Sequence, residues 1–334
     1  MRALVLLTVL LLAVTGCGSD EKPEAAGAQQ GSGTFPVTIK NKYGDTVVKA
    51  APRRIVTVGL VEQDALLALG VVPVATTEWF GEKPGALFPW AKAKLGNASL
   101  PQVLSDKDGI QFEKIAALQP DLIIGLYSGI TADDYQKLSA IAPTVAQPVG
   151  VPDYGVAWQD VARTVGQAVG KPKQAGELVQ GIEKRFDAVR AEHPVFKGKT
   201  ALMASAYQGY FVYGVQDPRS RLLTDLGFSL PAGLGKLFGD KFGGNLSAER
   251  ISLLDQQALV WFPAPGGTAK LKADPLYKNL KVRTEGRDVF VEQTDDNQLY
   301  GAISFVSVLS LPIVIDELVP QLAAAVDGNP VTNG

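Results

Sequence analysis

The chain has 334 residues, of which 46% are apolar and 20% are charged. This length corresponds to roughly two domains, since one core rarely exceeds about 250–300 residues, and the composition is that of a folded protein. A net charge of −2 provides no basic field for nucleic acid. One histidine and one cysteine exclude a Cys/His zinc cluster, a disulfide framework and a Cys–His dyad.

The first 16 residues have the pattern of a secretory signal peptide. Arg2 precedes an apolar stretch that ends at Val14, which is shorter than the roughly 20 apolar residues of a spanning helix. The sequence Val14-Thr15-Gly16-Cys17 resembles a bacterial lipobox, in which the cysteine is acylated and becomes the mature N-terminus. We therefore expect a signal peptide over residues 1–16 and a lipid on Cys17. The alternative is an ordinary signal peptide with an incidental cysteine.

Residues 17–34 are rich in Gly, Ala, Gln, Glu and Ser and show no apolar period. This composition predicts a flexible tether. Two or three acyl chains are sufficient for stable attachment to a bilayer. We therefore expect the protein to be anchored on the extracytoplasmic face of the cell membrane.

Beyond the tether, a hairpin is predicted from Val37–Asn41 and Thr46–Lys49, which flank a turn that contains Gly44. Strands and helices then alternate: strands at Ile55–Leu60, Val71–Ala75, Leu122–Gly125 and Thr144–Gln147, and helices at Asp64–Leu69, Phe112–Leu118, Tyr135–Ile141 and Trp158–Val169. This alternation is typical of a parallel sheet with helices on both faces. It predicts an N-terminal α/β lobe over residues 35–170.

One long helix is predicted over residues 171–193. Between Lys173 and Glu192 the apolar residues recur at steps of three and four, which places them on one side of a helix about 30 Å long. The strand pattern resumes at Thr200–Ala206. The long helix is therefore expected to join the first lobe to a C-terminal α/β lobe over residues 194–334.

The two halves contain similar segments in the same order. The first-half segments are Leu69-Gly70, Glu113-x-Ile115-x-x-Leu118, Tyr135-x-x-Leu138 and strand Thr144–Gln147; their counterparts are Leu226-Gly227, Glu249-x-Ile251-x-x-Leu254, Tyr277-x-x-Leu280 and strand Val289–Gln293. The fold class predicted is α/β, with two similar Rossmann-like lobes, mainly parallel sheets and one connecting helix.

Ala51–Val56, Asp64–Gly70, Phe112–Ile124 and the closing segment Ser304–Leu318 resemble the bacterial periplasmic-type binding proteins for iron–siderophore, haem and cobalamin uptake. The resemblance implies that the protein captures a ferric siderophore and delivers it to the permease dimer of an ABC importer. It also implies a monomer that is not an enzyme and needs no cofactor of its own. In this family one rigid helix links the lobes, so a large hinge closure is not expected.

The ligand site is expected at the carboxyl ends of the strands, where two facing lobes form one cleft. Chelated iron is already coordinated, so the protein need only supply aromatic walls, hydroxyls and a cation for the chelate oxygens. The candidates are Trp79, Tyr127, Tyr207, Tyr213, Arg219, Arg221 and Trp261. The alternatives are core packing for the aromatic residues and solvation for the arginines.

Glu113 and Glu249 occupy matching positions at the start of short helices, one in each half. The resemblance implies that they dock on arginines of the permease. The alternative is a glutamate that only complements a helix dipole, which is worth about 0.3–1 kcal/mol.

Two other function classes stay open. One is a receptor for haem or a corrinoid, with tyrosine as the only plentiful axial ligand. The other is an enzyme or adhesin on the same scaffold, although hydrolase chemistry needs a serine with a base and the only histidine, His193, has no such motif near it. A receptor for free metal is disfavoured, because one histidine cannot build a nitrogen-rich site.

Overall fold

The computed structural model describes residues 33–78, 83–206, 209–294 and 296–328. A hairpin comes first, with β1 (Val37–Asn41) paired to β2 (Gly44–Val48), as predicted. The Lys42 N–H donates to the carbonyl of Gln147 at 2.8 Å, so the hairpin lies beside the first large sheet. Within the described part of the chain, no helix has both the length and the hydrophobicity needed to cross a bilayer.

The first large sheet has five parallel strands in the order β5-β4-β3-β6-β7. The strands are β3 (Ile55–Thr57), β4 (Ala75–Glu78), β5 (Gln102–Ser105), β6 (Leu122–Gly125) and β7 (Thr144–Ala146). The helices of this lobe are α1 (Glu62–Ala68), α2 (Pro89–Lys92), α3 (Phe112–Ala117), α4 (Ala132–Ile141) and α5 (Trp158–Ala168). Strands β3, β6 and β7 are buried along their whole length, as expected of parallel strands with helices on both faces.

The second large sheet has the order β10-β9-β8-β11-β12. Its strands are β8 (Ala201–Ser205), β9 (Tyr210–Tyr213), β10 (Gly243–Leu246), β11 (Ala258–Phe262) and β12 (Asp288–Phe290). Only β9 runs against its neighbours. The surrounding helices are α7 (Pro218–Asp225), α8 (Leu234–Phe238), the 3-10 helix Ala248–Leu254, α9 (Gly267–Ala273), α10 (Lys281–Thr284), α11 (Gln298–Ser304) and α12 (Leu311–Val326).

A single helix, α6 (Pro172–Glu192), connects the two lobes, as predicted. Proline stands at its first turn, where the missing N–H has no partner to lose. Ala175 packs into the core of the first lobe, whereas Val179, Ile182 and Phe186 pack into the core of the second. The helix is thus an integral part of both cores.

The segment between α11 and α12 forms a second contact between the lobes. Phe305 lies in the core of the first lobe, 4.8 Å from Phe88 between ring centroids. Ser307 donates to the buried carboxylate of Asp64 on α1. The closing segment Ser304–Leu318 is therefore not one continuous helix: the chain leaves α11 at Phe305 and begins α12 only at Leu311.

The two lobes repeat one another, as predicted, down to the ends of their first helices. After α1, Gly70 has a φ of +70° and the Val71 N–H donates to Leu66 O at 2.9 Å. After α7, Gly227 has a φ of +105° and the Phe228 N–H donates to Leu223 O at 3.0 Å. Both are Schellman-type caps, which need a residue that tolerates a positive φ.

Two details of the predicted repeat differ from the structure. The second strand begins at Ala75 rather than Val71, because Val71 belongs to the helix cap. Tyr277, matched in sequence to Tyr135 on α4, lies in a turn between α9 and α10 and not on a helix. Both lobes keep the same strand order, and their connections differ.

Candidate functional site

A cavity of about 190 Å³ lies at the carboxyl ends of the strands in the first lobe. Thr77 on β4 and Ser105 on β5 line it, with Ser128 from the loop after β6 and Tyr154 from the loop after β7. Tyr154 has a φ of +56°, an uncommon backbone conformation for a residue with a side chain. Loops beyond the carboxyl ends of parallel strands form the usual ligand crevice. This cavity is therefore the first lobe's part of the candidate site.

Tyr127 stands just beyond β6, and its ring meets Tyr154 edge-on at 5.6 Å between centroids. Its N–H donates to Glu62 Oε1 at 2.7 Å, and the Val61 N–H donates to Oε2 at 3.1 Å. Glu62 is completely buried, and burial raises its pKa. A Cβ on Gly59 would lie 2.0 Å from this carboxylate. The buried carboxyl therefore fixes the loop that carries Tyr127.

The second lobe contributes Arg219, which lies in the first turn of α7. The N-cap residue of this helix holds the arginine in position. Asp217 is the N-cap residue and accepts from the Arg219 N–H at 2.8 Å. The guanidinium then donates to both oxygens of the same carboxylate, each at 2.7 Å. Arg219 is only 7% exposed. Burial is the largest single influence and by itself lowers the pKa of Arg219. The charge and hydrogen bond of Asp217, together with Tyr127 and Tyr213, outweigh it and hold the pKa well above its usual value.

Three tyrosines surround this arginine. Arg219 lies 4.3 Å above the ring of Tyr213, a cation–π contact. Tyr300 and Tyr127 are close enough for the charge of Arg219 to act on their hydroxyls. Burial raises the pKa of Tyr300 to about 12 and raises the pKa of Tyr127 and Tyr213 as well. The structure thus brings together Tyr127 from the first lobe and Tyr213 and Arg219 from the second. The tyrosine hydroxyls stay protonated at neutral pH.

Arg221 links the lobes instead of projecting into open space. Its Nη2 donates to the carbonyl of Gly155 at 2.7 Å, and burial lowers its pKa. By contrast, Nη1 of Arg219 makes no hydrogen bond with the described residues. A guanidinium with free donors beside phenolic hydroxyls is suited to bind anionic oxygens. Among the described residues, no three His, Cys, Asp or Glu side chains form a metal-binding group.

Trp261 was predicted to line the ligand site, but the structure places it in the core of the second lobe. It is completely buried and packs edge-on against Tyr277 at 5.2 Å. Side chains alternate along a strand, so on β11 Trp261 and Phe262 point to opposite faces. Phe262 is the residue that reaches Tyr213 and Tyr300, at 6.0 and 6.1 Å.

Glu113 and Glu249 occupy equivalent places in the two lobes. Glu113 is in the first turn of α3, and Glu249 is in the first turn of the 3-10 helix before β11. Each follows an edge strand, β5 or β10, and precedes the strand next to the centre of its sheet. Both are exposed, and neither has an ion-pair partner among the described residues. Cys17, Trp79 and Tyr207 lie outside the described residues.

Four residues of this site were not among the candidates predicted from the sequence. Asp217, Glu62, Phe262 and Tyr300 contact or position the predicted residues or one another. A signal existed for Asp217, since Asp-Pro before a helix is a typical N-cap and N1 pair. No local pattern distinguishes Tyr300 or Phe262 from ordinary core aromatics.

Two lobes of this architecture, with polar and aromatic loops facing one another at the strand ends, define a solute-binding protein. The chain matches the family model described as periplasmic binding protein over residues 55–288. It therefore belongs to that family.

Several known proteins resemble the chain along most of its length. It is 27% identical to a probable siderophore-binding lipoprotein of Bacillus subtilis, with 84% of this chain and 88% of the relative covered. It is 26% identical to the ferric-anguibactin-binding protein of Vibrio anguillarum, with 95% and 96% covered.

The solved structures show the same fold. A periplasmic solute binding protein of Mycobacterium smegmatis is 39% identical, with a TM-score of 0.76 over 87% of this chain and 98% of the other. PiaA of Streptococcus pneumoniae, solved with ferrichrome, is 28% identical, with a TM-score of 0.75 over 87% and 99%.

Proposed function

We propose that this protein binds a ferric siderophore between its two lobes and delivers it to an ABC importer for iron uptake. The observation that carries the proposal is the arrangement of Arg219: Asp217 fixes its guanidinium, and tyrosines from both lobes surround it. This group offers a cation, hydroxyls and aromatic faces without supplying ligands to bare iron. These are the groups that recognise the organic shell of a chelate. The printed functions of the relatives support the same ligand class.

Haem is the competing ligand, and the tyrosines argue against it. A tyrosine that ligates haem iron does so as the phenolate. The pKa of Tyr300 is raised to about 12, and burial also raises the pKa of Tyr127 and Tyr213. These hydroxyls are therefore hydrogen-bond donors in the ligand-free protein at neutral pH, and haem iron would have to displace a proton that burial holds more tightly than usual.

We also propose the anchoring and docking inferred from the sequence. Acylated Cys17 would hold the protein on the extracytoplasmic face, with residues 17–34 as the tether. Glu113 and Glu249 are exposed on both lobes, so their carboxylates are available to arginines of a permease dimer. A monomer that presents one such residue on each lobe suits a partner with two similar subunits.

The proposal is tested with a soluble form that starts at Gly33, where the described compact unit begins. It is titrated by tryptophan fluorescence with ferric hydroxamates, ferric catecholates, ferric citrate, haem and cobalamin, and with each chelator free of iron. We expect sub-micromolar binding of at least one ferric siderophore and weaker binding of the same chelator without iron. Tighter binding of haem or cobalamin than of every ferric chelate would contradict the proposal.

A further inference from the structure

Five aromatic rings form a continuous row from the core of the second lobe to its surface. In order, the row is Tyr300, Phe262, Tyr213, Phe211 and Phe242, with successive centroid distances of 6.1, 6.0, 5.3 and 5.6 Å. Phe262 is 3% exposed, whereas Phe242 is 47% exposed. The row therefore begins inside the proposed binding site and ends in solvent.

Strands β9 and β10 lie beneath the outer part of the row. Phe211 and Tyr213 are two residues apart on β9, so their side chains share one face. On the neighbouring strand β10, a Cβ at Gly243 would lie 2.7 Å from the ring of Phe211. The same Cβ would lie 2.4 Å from the backbone carbonyl oxygen of Val212, so this position of β10 requires glycine, and the ring of Phe211 lies directly over it. We call the two rings of Phe211, which is half-buried, and Phe242, which is exposed, the aromatic shelf.

The aromatic shelf differs in chemistry from the inner part of the row. The inner tyrosines carry hydroxyls, and Arg219 lies 4.3 Å above the ring of Tyr213. The side chains of the aromatic shelf carry no polar group. The shelf begins at Phe211, which contacts Tyr213. A ligand that reaches from Arg219 onto the shelf must be anionic at one end and apolar at the other.

The small size of the aromatic shelf selects among possible occupants. A stable protein interface buries about 800 Å² on each partner, which is far more than two rings present. A chain of methylenes or a single aryl ring, in contrast, is well matched to two adjacent aromatic faces. Continuity with Arg219 favours an arm of the same ligand over a separate molecule.

We propose that the aromatic shelf binds an apolar acyl or aryl arm of the ferric chelate whose oxygens contact Arg219. This inference rests on the proposed function and extends it to a ligand class: a siderophore that carries an apolar substituent outside its iron-binding groups. Phe211 and Phe242 are then residues that determine specificity.

The first experiment avoids iron so that it tests the shelf alone. Straight-chain carboxylates from hexanoate to decanoate are titrated into the soluble form that starts at Gly33, with binding followed by NMR. The carboxylate supplies the anion for Arg219, and the chain supplies the apolar arm. A fully buried methylene is worth about 0.8 kcal/mol, so a shelf that covers one side predicts roughly two-fold tighter binding per methylene.

Variants of the aromatic shelf test where the alkyl chain of the carboxylate binds. The double variant Phe211→Ala/Phe242→Ala should remove the dependence on chain length, and Phe242→Ala alone should reduce it. Leu276→Ala is the matched control, because Leu276 is 50% exposed on the same lobe and lies outside the aromatic row. A circular dichroism melt of each variant verifies folding. No chain-length dependence in the wild type, or an unchanged dependence in the double variant, would overturn the shelf.

A second experiment separates the shelf from the proposed function. Two ferric trihydroxamates are compared that differ only in a terminal acetyl or octanoyl group. We expect the octanoyl complex, with six more methylenes at roughly two-fold each, to bind about 60-fold tighter in the wild type. In the double variant it should bind with the same affinity as the acetyl complex. Equal binding of both complexes by the wild type would refute the arm while leaving the proposed function intact. A chain-length dependence for carboxylates together with failure of every ferric chelate to bind would refute the function while leaving the shelf.

Discussion

Asp217 accepts two parallel hydrogen bonds from the guanidinium of Arg219, one on each carboxylate oxygen and both at 2.7 Å. Asp217 is completely buried, and Arg219 nearly so. The pair therefore neutralises a charge inside the protein and fixes the plane of the guanidinium over Tyr213. A bidentate pair holds this geometry more strictly than a single contact. The candidate site is thus set before any ligand arrives.

Breaking this pair should destabilise the protein strongly. Asp217→Asn leaves the charge of Arg219 buried without a counter-ion, which costs about 3–5 kcal/mol for pairs of this kind. Urea denaturation measures the change in the free energy of unfolding. Asp316→Asn is the control, because Asp316 pairs with Arg185 at 2.6 Å on an exposed surface, where a pair contributes at most about 1 kcal/mol. Equal effects of the two substitutions would show that Asp217 is not the stabilising partner of Arg219.

In the proposed site, Tyr127 is the aromatic wall on the side of the first lobe. Tyr127→Ala should weaken binding of the ferric siderophore by about 1–3 kcal/mol, as for a central anchor residue. Tyr127→Phe keeps the ring that contacts Tyr154 and serves as the control. Because the ring is also part of the core of the first lobe, fluorescence titration should be done well below the melting temperature of each variant. An unchanged affinity of Tyr127→Ala would place the ligand elsewhere.

The proposed lipidation uses Cys17, the only cysteine in the sequence. Cys17→Ala removes the acylated side chain, so the protein should leave the membrane fraction or stay attached only through an uncleaved signal peptide. Cell fractionation with immunoblotting distinguishes these states by location and size. A variant that is processed and sediments like the wild type would disprove the lipoprotein assignment.

Glu113 and Glu249 separate ligand binding from transport. In the proposed contact with permease arginines, changing both to Arg places like charges opposite each other in a partly desolvated interface, a penalty of several kcal/mol. Growth on a ferric siderophore as the sole iron source should fail. Binding by the soluble form should stay within about 0.5 kcal/mol of the wild type, as for surface substitutions distant from a site.

The control for this reversal is Glu192→Arg/Glu317→Arg, which changes the net charge equally at two other exposed positions. We expect it to support growth. Normal iron uptake by the Glu113/Glu249 variant would rule out docking, and loss of its ligand binding would assign the glutamates to the cleft or the fold.

Asp64 makes stability depend on pH in a defined direction. Burial raises its pKa from 3.8 to about 6, although Ser307 and Trp90 both donate to its carboxylate. The native state therefore holds this proton more tightly than the unfolded state. The resulting stabilisation is fully present below pH 3.8 and is lost as the pH rises through 6.

Asp64→Asn removes the titrating carboxyl group, so the stability of the variant lacks this dependence on pH. The free energy of unfolding of the variant minus that of the wild type should rise by roughly 2 kcal/mol between pH 4 and pH 7. This is most of the roughly 3 kcal/mol that corresponds to a pKa raised from 3.8 to about 6. Urea denaturation at several pH values measures this difference. Asp108→Asn, in an exposed loop, should show no such trend. A flat difference for Asp64→Asn would mean that Asp64 stays ionised throughout.

The sequence predicted the elements whose signals are local. The apolar period of α6, the strand Leu122–Gly125 and the glycines after α1 and α7 all appear where they were expected. These features depend on periodicity and on backbone conformations that few residues tolerate. They were enough to predict two similar lobes joined by one helix.

Other elements have weak local signals. The edge strands β5 and β10 read Gln-Val-Leu-Ser and Gly-Gly-Asn-Leu, too short and too polar for a periodic pattern. Pairing with a neighbouring strand makes them strands. The break after Phe305 likewise exists because that ring packs into the other lobe.

The sequence by itself determined which residue types are available: aromatic residues at the predicted strand ends, two close arginines, and only one histidine and one cysteine. Only the tertiary structure decided which of them form the site. The register of β11 turns Trp261 into the core and Phe262 toward Tyr213, and the cap of α7 directs Asp217 to Arg219. The physical reason is that a strand exposes alternate residues to opposite faces, and which face meets the ligand depends on how the sheet packs against the rest of the molecule.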